Sequence, residues 1–321
     1  MRRHRLPPPG RSRGAALLTA MIIVTLIVTL AASMVWQQWR AVQVETAERA
    51  RVQSAWILNG ALDWARLILR EDARSGRPTA LTEPWATPLA EARLSTFLAI
   101  DENNAEDAPD AFLSGVITDA QARYNLANLV VRGQIVPAEV EVLDRLCQSV
   151  GVSSEIATRI AQGLRDADVS PLNTTNAPLR PRSVEQLGWL GIDAAALEQL
   201  APYVVLLPVR TPVNLNTASR EVLAAAIKAD LATAERLVQM RQRSPFKTVQ
   251  AAEAQLPQTL LPINPGQGAP VVSIVSSFFE VRGRLRLDDR VLEQRSLVER
   301  RGLEMVVLQR EQVSRSDTGR S

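Results

Sequence analysis

The chain is poor in the residues that ordinary enzyme chemistry uses. Its 321 residues include one cysteine and one histidine. A lone Cys147 excludes an intrachain disulfide framework, and a Cys/His zinc site cannot be assembled from these counts. The only imidazole, His4, lies in an arginine-rich start and is badly placed to serve a catalytic triad. Aromatic residues make up 4%, so a core has to be built from Ala, Leu and Val. Lysine occurs only at Lys228 and Lys247, which reads as composition bias. Net charge is scarce as well. The formal value is +3, and Arg2, Arg3, Arg5, Arg11 and Arg13 carry five of the positive charges. Removing those five leaves −2. The basic pI of 9.6 is therefore a property of the first fourteen residues and gives little support to nucleic-acid binding. What is abundant is apolar sequence, 46% of the chain, enough to form a core and to exclude wholesale disorder. The length allows about two domains.

From Ala15 to Trp39 there is no charge. The stretch Ala15–Trp36 is long enough to cross a bilayer as a helix, which needs about 20 residues. Arginines precede it, so the positive-inside rule predicts a cytoplasmic N-terminus, with the bulk outside the inner membrane. A cleavable signal peptide would have a shorter apolar region. The helical pattern also continues past Trp39, with Ala55, Leu58, Leu62, Ala65 and Leu69 at three-four spacing. One helix of about 55 residues, about 80 Å long, is predicted, lipid-facing first and amphipathic after.

The junction Arg13-Gly14, followed at once by Ala15-Ala16-Leu17-Leu18, resembles a type IV prepilin or pseudopilin. The resemblance implies cleavage after Gly14 by a prepilin peptidase and N-methylation of Ala15. That family usually has Glu at the fifth mature position, where this chain has Thr19. A carboxylate in the bilayer is costly unless paired, and in the family it pairs with the terminal ammonium of a neighbouring subunit. The member that characteristically lacks it is the large minor pseudopilin K of type II secretion.

Further segments match that family in order. Ser114–Leu129 starts strand-like and then resembles the K pattern at Asp119, Arg123, Tyr124, Asn125, Leu126, Asn128 and Leu129. Asn125 and Asn128 are read as backbone caps at a strand-to-helix junction. Pro212–Ser219 (PVNLNTAS) resembles the family's Val-Asn-Val-Asn-Thr-Ala segment through Asn214, Asn216 and Thr217. It also resembles the opening of helix-hairpin-helix modules in DNA-uptake proteins, so a membrane-anchored DNA-binding protein is the alternative. Such a hairpin needs a Gly-containing turn that brings backbone N–H groups to a phosphate, and Ile227–Leu231 has no Gly. At Ile160–Asp168, Asp166 and Asp168 match the last two aspartates of a segment through which the family can bind calcium, while Gly163 and Leu164 replace earlier family residues. Calcium takes several oxygen ligands, and two carboxylates are few. No other cofactor is implied.

The remaining pattern predicts helices over Pro137–Val150, Ser153–Leu164, Ser183–Leu190, Asp193–Leu200, Arg220–Ile227 and Thr233–Arg243. A short helical pattern is predicted near Ala90–Leu98, before the acidic segment Asp101–Asp110. Period-two alternation from Val271 predicts three or four antiparallel strands, with Arg282, Arg284 and Arg286 on a solvated face. The assembled expectation is an α/β (α+β) chain. A pilin-like long N-terminal helix packs on an antiparallel sheet, and a large all-α insertion domain lies between strands. The expected divisions are a leader (1–14), the long helix (15–72), a first pilin-like part (73–129), the insertion (130–268), C-terminal strands (269–310) and a tail (311–321). By resemblance, the partners are I- and J-type minor pseudopilins, the major pseudopilin, the prepilin peptidase and the inner-membrane assembly platform. The implied role is to start and cap a short periplasmic filament for protein export, with no catalysis.

Overall fold

The computed structural model describes residues 13–94, 111–169, 179–260, 270–287 and 290–316. The chain divides into two units, the first ending at Ile57 and the second beginning at Leu58. Helix α1, Arg13–Ser75, is continuous, longer than expected by a few residues. In the first unit its side chains from Ala16 are almost all exposed. An 18-residue window reaches a mean hydropathy of 2.4, long and apolar enough to cross a membrane. The hydroxyls of Thr19, Thr25, Thr29 and Ser33 bond back to carbonyls of their own helix at 2.8–3.0 Å. That removes the cost of carrying bare hydroxyls into hydrocarbon. Arg40 stacks over Trp36 at 5.2 Å, where charge first returns to the sequence.

In the second unit, the same helix changes character. Leu58, Leu62, Ala65, Leu69 and Asp72 recur at three-four spacing and are buried. They face a five-stranded sheet of β1 (Leu89–Arg93), β2 (Ala111–Asp119), β9 (Phe278–Leu287), β10 (Arg290–Arg301) and β11 (Glu304–Ser316), in the order β1-β2-β9-β10-β11. All its pairings are antiparallel. Leu62, Ala65 and Leu69 pack with Trp85, Ile117, Phe279, Val281, Val298 and Met305. Trp85 meets Phe279 edge-on, with ring centroids 5.4 Å apart. Gly115 pairs with Gly283 across β2 and β9. A Cβ on Gly283 would sit 3.3 Å from Leu58 Cδ2, so bare backbone here lets the helix approach the sheet closely.

Strands β2 and β9 are direct neighbours, so everything from 120 to 277 is an excursion between two paired strands. It holds α2 (Pro137–Ser149), α3 (Ser154–Val169), α4 (Ala194–Leu200), α5 (Arg220–Ala226), α6 (Leu231–Arg243) and α7 (Val249–Glu253). The caps are chemically explicit. Asp193, Ser219, Asp230 and Thr248 each accept from a backbone N–H in the first turn. Leu143, Leu146, Cys147, Ile160, Leu187, Leu200, Leu215 and Leu223 fill one continuous core. Burial pushes the Cys147 thiol up to about 11, as suits a small core residue.

Several expectations are corrected. The excursion is not purely helical. β3 (Tyr124–Asn125) pairs in parallel with β6 (Val204–Val205), β4 (Val130–Val131) pairs with β5 (Gln134–Ile135), and β7 (Val213–Asn214) pairs in parallel with β8 (Val272–Ser273). It also starts before residue 130, because Tyr124, Leu126 and Leu129 belong to the helical core. The stretch 89–93 is strand β1, not helix, because β2 offers it a hydrogen-bonding edge. Leu94 is helical, and residues 95–98 of that predicted helix and the acidic Asp101–Asp110 lie outside the described residues. The period-two run from Val271 is broken. β8 joins the excursion, and the sheet resumes only at Phe278. At the C-terminus β11 continues to Ser316, because β10 pairs with it along its whole length.

The helix–sheet seam yields a direct expectation. Leu69 is fully buried against the sheet. Leu69→Ala should lower the unfolding free energy of the full chain by about 2–5 kcal/mol, read by denaturant titration. A change below about 0.5 kcal/mol would mean that the helix face carries no core.

Candidate functional site

Three of the residues singled out from sequence, Asp119, Asn214 and Thr217, converge on one buried polar junction. Asp119 ends β2, where the excursion begins, and is 4% exposed. Its Oδ1 accepts from Gln121 N at 2.8 Å. Its Oδ2 accepts from Thr217 Oγ1 at 2.6 Å, Ser276 Oγ at 2.6 Å and Asn214 Nδ2 at 2.9 Å. Burial raises the Asp119 pKa, while these hydrogen bonds pull it back. Asn214 also reaches Ser276 Oγ at 2.8 Å and the Thr79 carbonyl at 3.1 Å. One carboxylate thus joins the end of β2, the Asn-Leu-Asn-Thr segment and the segment leading into β9, and Asn214 extends the junction to the loop after α1.

The other asparagines act as backbone clamps. Asn125 caps Ala127 N at 3.0 Å as expected, but it also accepts from Leu207 N and donates to the Val209 carbonyl at 2.7 Å. Asn128 does not cap a helix. Its amide grips both N–H and C=O of Thr211, at 3.1 and 3.0 Å. Asn216 does the same to Phe246, at 2.8 and 3.0 Å. Tyr124 Oη donates to Glu139 Oε2 at 2.9 Å. Burial and this carboxylate push the phenol well above its ordinary range. Arg123 pairs with Glu280 at 2.7 Å.

Sequence reasoning missed Asp72, Thr79, Ser276 and Arg300. Arg300 on β10 pairs with Asp72 at 3.1 Å and donates to Thr79 Oγ1 at 2.8 Å and to the Ser276 carbonyl. It also stacks over Phe279 at 5.1 Å. No local pattern marks these positions; only the fold assembles them. Asp72 lies outside the apolar span and is pushed up to about 7, first by burial and then by neighbouring Glu83, against the pull of Arg300. Its Oδ1 is buried without a donor, which favours the protonated form. In chemical terms the junction is a staple. Apart from Asp72 Oδ1, the polar atoms around Asp119 and Arg300 are bonded to one another.

Three other sequence readings are placed as follows. Gly14 and Ala15 lie in the first turn of α1. Asp166 and Asp168 lie two apart on α3, about 200° around the helix. Each is paired with an arginine, Asp166 with Arg165 at 2.7 Å and Asp168 with Arg180 at 3.2 Å. Among the described residues no group of three or more His, Cys, Asp or Glu gathers. These carboxylates do not fit a calcium ion, which takes 6–8 oxygens, roughly, from converging ligands. The hairpin-like pair α5–α6 turns at Lys228 with φ +56°, where glycine would be easier. The N–H groups of Lys228 and Ala229 close onto the carbonyls of Ala225 and Ala224, and Asp230 caps α6. A phosphate would meet a carboxylate there, with the turn amides already bonded.

Two outcomes are expected. Because the Asp72 pKa is raised in the fold, its stabilising share is complete below about pH 4 and is lost as pH rises to about 7. Asp72→Asn should flatten the decline in unfolding free energy between these limits; an unchanged pH profile would contradict the assignment. Adding millimolar calcium, or a chelator, should leave the melting temperature of the full chain unchanged, whereas a calcium-dependent rise would restore a metal site.

Comparison with known proteins agrees with this architecture. Two family models, both described as type II secretion system protein K, match residues 122–209 and 213–273. The type II secretion system protein K of Pseudomonas aeruginosa is 27% identical over 302 residues, spanning 86% of this chain and 85% of the relative. That of Klebsiella pneumoniae is 28% identical, spanning 94% and 96%. A crystal structure of the GspK-GspI-GspJ complex from the enterotoxigenic Escherichia coli type 2 secretion system contains a chain with the same fold. It superposes with a TM-score of 0.64 at 21% identity, over 83% of this chain and 98% of that one. The matches cover both motif segments that meet at Asp119, and together they support the type II secretion system protein K family.

Proposed function

We propose that this protein is a minor pseudopilin that joins I- and J-type minor pseudopilins in the tip complex of a periplasmic pseudopilus, starting and capping that filament. The single observation that carries this reading is the excursion of residues 120–277 between paired strands β2 and β9. A subunit inside a helical filament needs two heterologous faces free for neighbours. A bulky domain inserted into the pilin-like sheet obstructs one of them, which suits a terminal position. Thr19 supports the same placement. It lacks the carboxylate that would pair with the terminal ammonium of a subunit ahead of it. The GspK-GspI-GspJ complex from Escherichia coli supports the choice of partners.

In this reading residues 1–14 are a prepilin leader, Gly14 is the last residue removed and Ala15 is the methylated N-terminus. The helix holds the subunit in the inner membrane as a single pass until assembly, with its start in the cytoplasm and its bulk in the periplasm. The major pseudopilin and the assembly platform would be further partners. The first test is the mass and N-terminal sequence of the membrane-extracted protein, with and without prepilin peptidase. A peptidase-dependent start at Ala15 with an added methyl is expected. An intact Met1, or cleavage near Ser33, would overturn the pseudopilin reading. Co-purification with tagged I- and J-type subunits then tests the tip complex, which fails if neither is retained.

A further inference from the structure

The sheet face opposite α1 is only partly covered. Phe278 and Leu297 are closed over by Ala120, Val205 and Leu207. Beside them a cleft of about 530 Å³ remains between the sheet and the excursion. Its floor carries an unusual charge arrangement. The buried carboxylate of Glu280 is shared by three arginines: Arg123 at 2.7 Å, Arg282 at 2.7 Å and Arg295 at 3.3 Å. Burial pushes the Glu280 carboxyl up, but Arg123 and Arg282 hold it below its ordinary range. Each guanidinium has five N–H donors in a fixed fork, so one carboxylate leaves most of them unused. A fourth arginine, Arg182, stands at the rim, and its guanidinium makes no ion pair among the described residues. Asp119 also borders the cleft, but its oxygens are committed to the junction. The lining as a whole holds four arginines and four carboxylates, so the excess positive charge is confined to the floor around Glu280, and at the rim Arg295 already leans to Glu185 at 3.3 Å.

We propose that this cleft is a docking site for an acidic side chain on a segment of a partner subunit. The inference rests on the proposed assembly with I- and J-type subunits and names where one of them is gripped. The chemistry selects the occupant. Unused donors in a fork geometry suit a carboxylate. Val205, Leu206 and Leu297, which line the same cleft, suit apolar residues flanking that carboxylate. Glu185 and Glu311 at the rim repel a polyanion, so a nucleic-acid strand does not fit. The long, exposed β11 beside the cleft supplies room for a chain to approach.

The test uses the full chain in detergent and the I- and J-type subunits as probes, with association measured at low and high salt. Arg295→Glu should weaken binding about tenfold at low salt, because it reverses a charge at the centre of the cleft. Arg182→Glu should slow association about threefold while leaving the melting temperature unchanged, since it breaks no internal ion pair. Glu311→Lys should act in the opposite direction and speed association. The two rim variants keep the test decisive if Arg295→Glu disturbs folding. Wild-type binding that none of the variants alters would overturn the cleft and leave the assembly reading standing. Failure of the wild type to bind either subunit would overturn both.

Discussion

The structure depends on one buried carboxylate at the point where the chain leaves its sheet and later returns. Asp119 is the last residue of β2, and its pairing partner across the ladder is Phe279, near the start of β9. Between them the chain makes a long excursion whose closure costs conformational entropy. Burying a carboxylate there is expensive unless its oxygens are satisfied. Gln121, Asn214, Thr217 and Ser276 satisfy them from both ends of the excursion and from its middle. Unpaired, that carboxylate would carry the full desolvation cost. Bonded, it requires the two ends and the middle to be together. The arrangement is therefore cooperative, because losing one segment exposes the cost for all of them.

The excursion needs such devices because its own sheet structure is minimal. Strands β3 to β8 are two residues each, so most of their backbone groups have no ladder to join. Buried backbone groups must still be paired. Asparagine is suited to the task, since one carboxamide presents a donor and an acceptor side by side, as a peptide group does. Asn128 on Thr211 and Asn216 on Phe246 each mimic a missing strand neighbour. This explains why these motif residues are polar and buried at once.

Much of this was legible before the fold was known, and the division is physical. The long helix was readable because its apolar run and its later three-four spacing are local, repetitive signals. Helices α2 to α6 were readable for the same reason, whereas α7 was missed and the helix expected over Ser183–Leu190 is a 3₁₀ helix over Glu185–Leu190. The motif residues Asp119, Asn125, Asn214 and Thr217 were readable as two separate segments. Their convergence was not, since nothing local in residues 119 and 214 encodes contact. Asn128 was misread as a cap because a clamp on Thr211 leaves no trace in its neighbours. Thr79, Ser276 and Arg300 carried no signal at all; each is an ordinary residue until the strands pair. The strand β1 was mistaken for helix because a short edge strand takes its structure from the edge it joins. The pattern after Val271 misled for the opposite reason, since true alternation at 272–273 served a parallel pairing outside the main sheet.

The chemistry of the junction also decides what kind of stability it confers. Apolar contact, as between Leu69, Trp85 and Phe279, is strong but non-directional. It would tolerate some sliding of the helix over the sheet. The bonds made by Arg300 are directional. One guanidinium holds Asp72 at the end of α1, Thr79 in the following loop and the carbonyl of Ser276 beside Asp119. Because a planar fork has few acceptable geometries, these contacts set the angle at which the helix end meets the excursion, while the apolar seam supplies most of the free energy. Replacing the polar set by hydrophobic residues of equal volume could preserve stability. It would not preserve that orientation, because apolar contacts leave the angle between helix end and excursion unspecified.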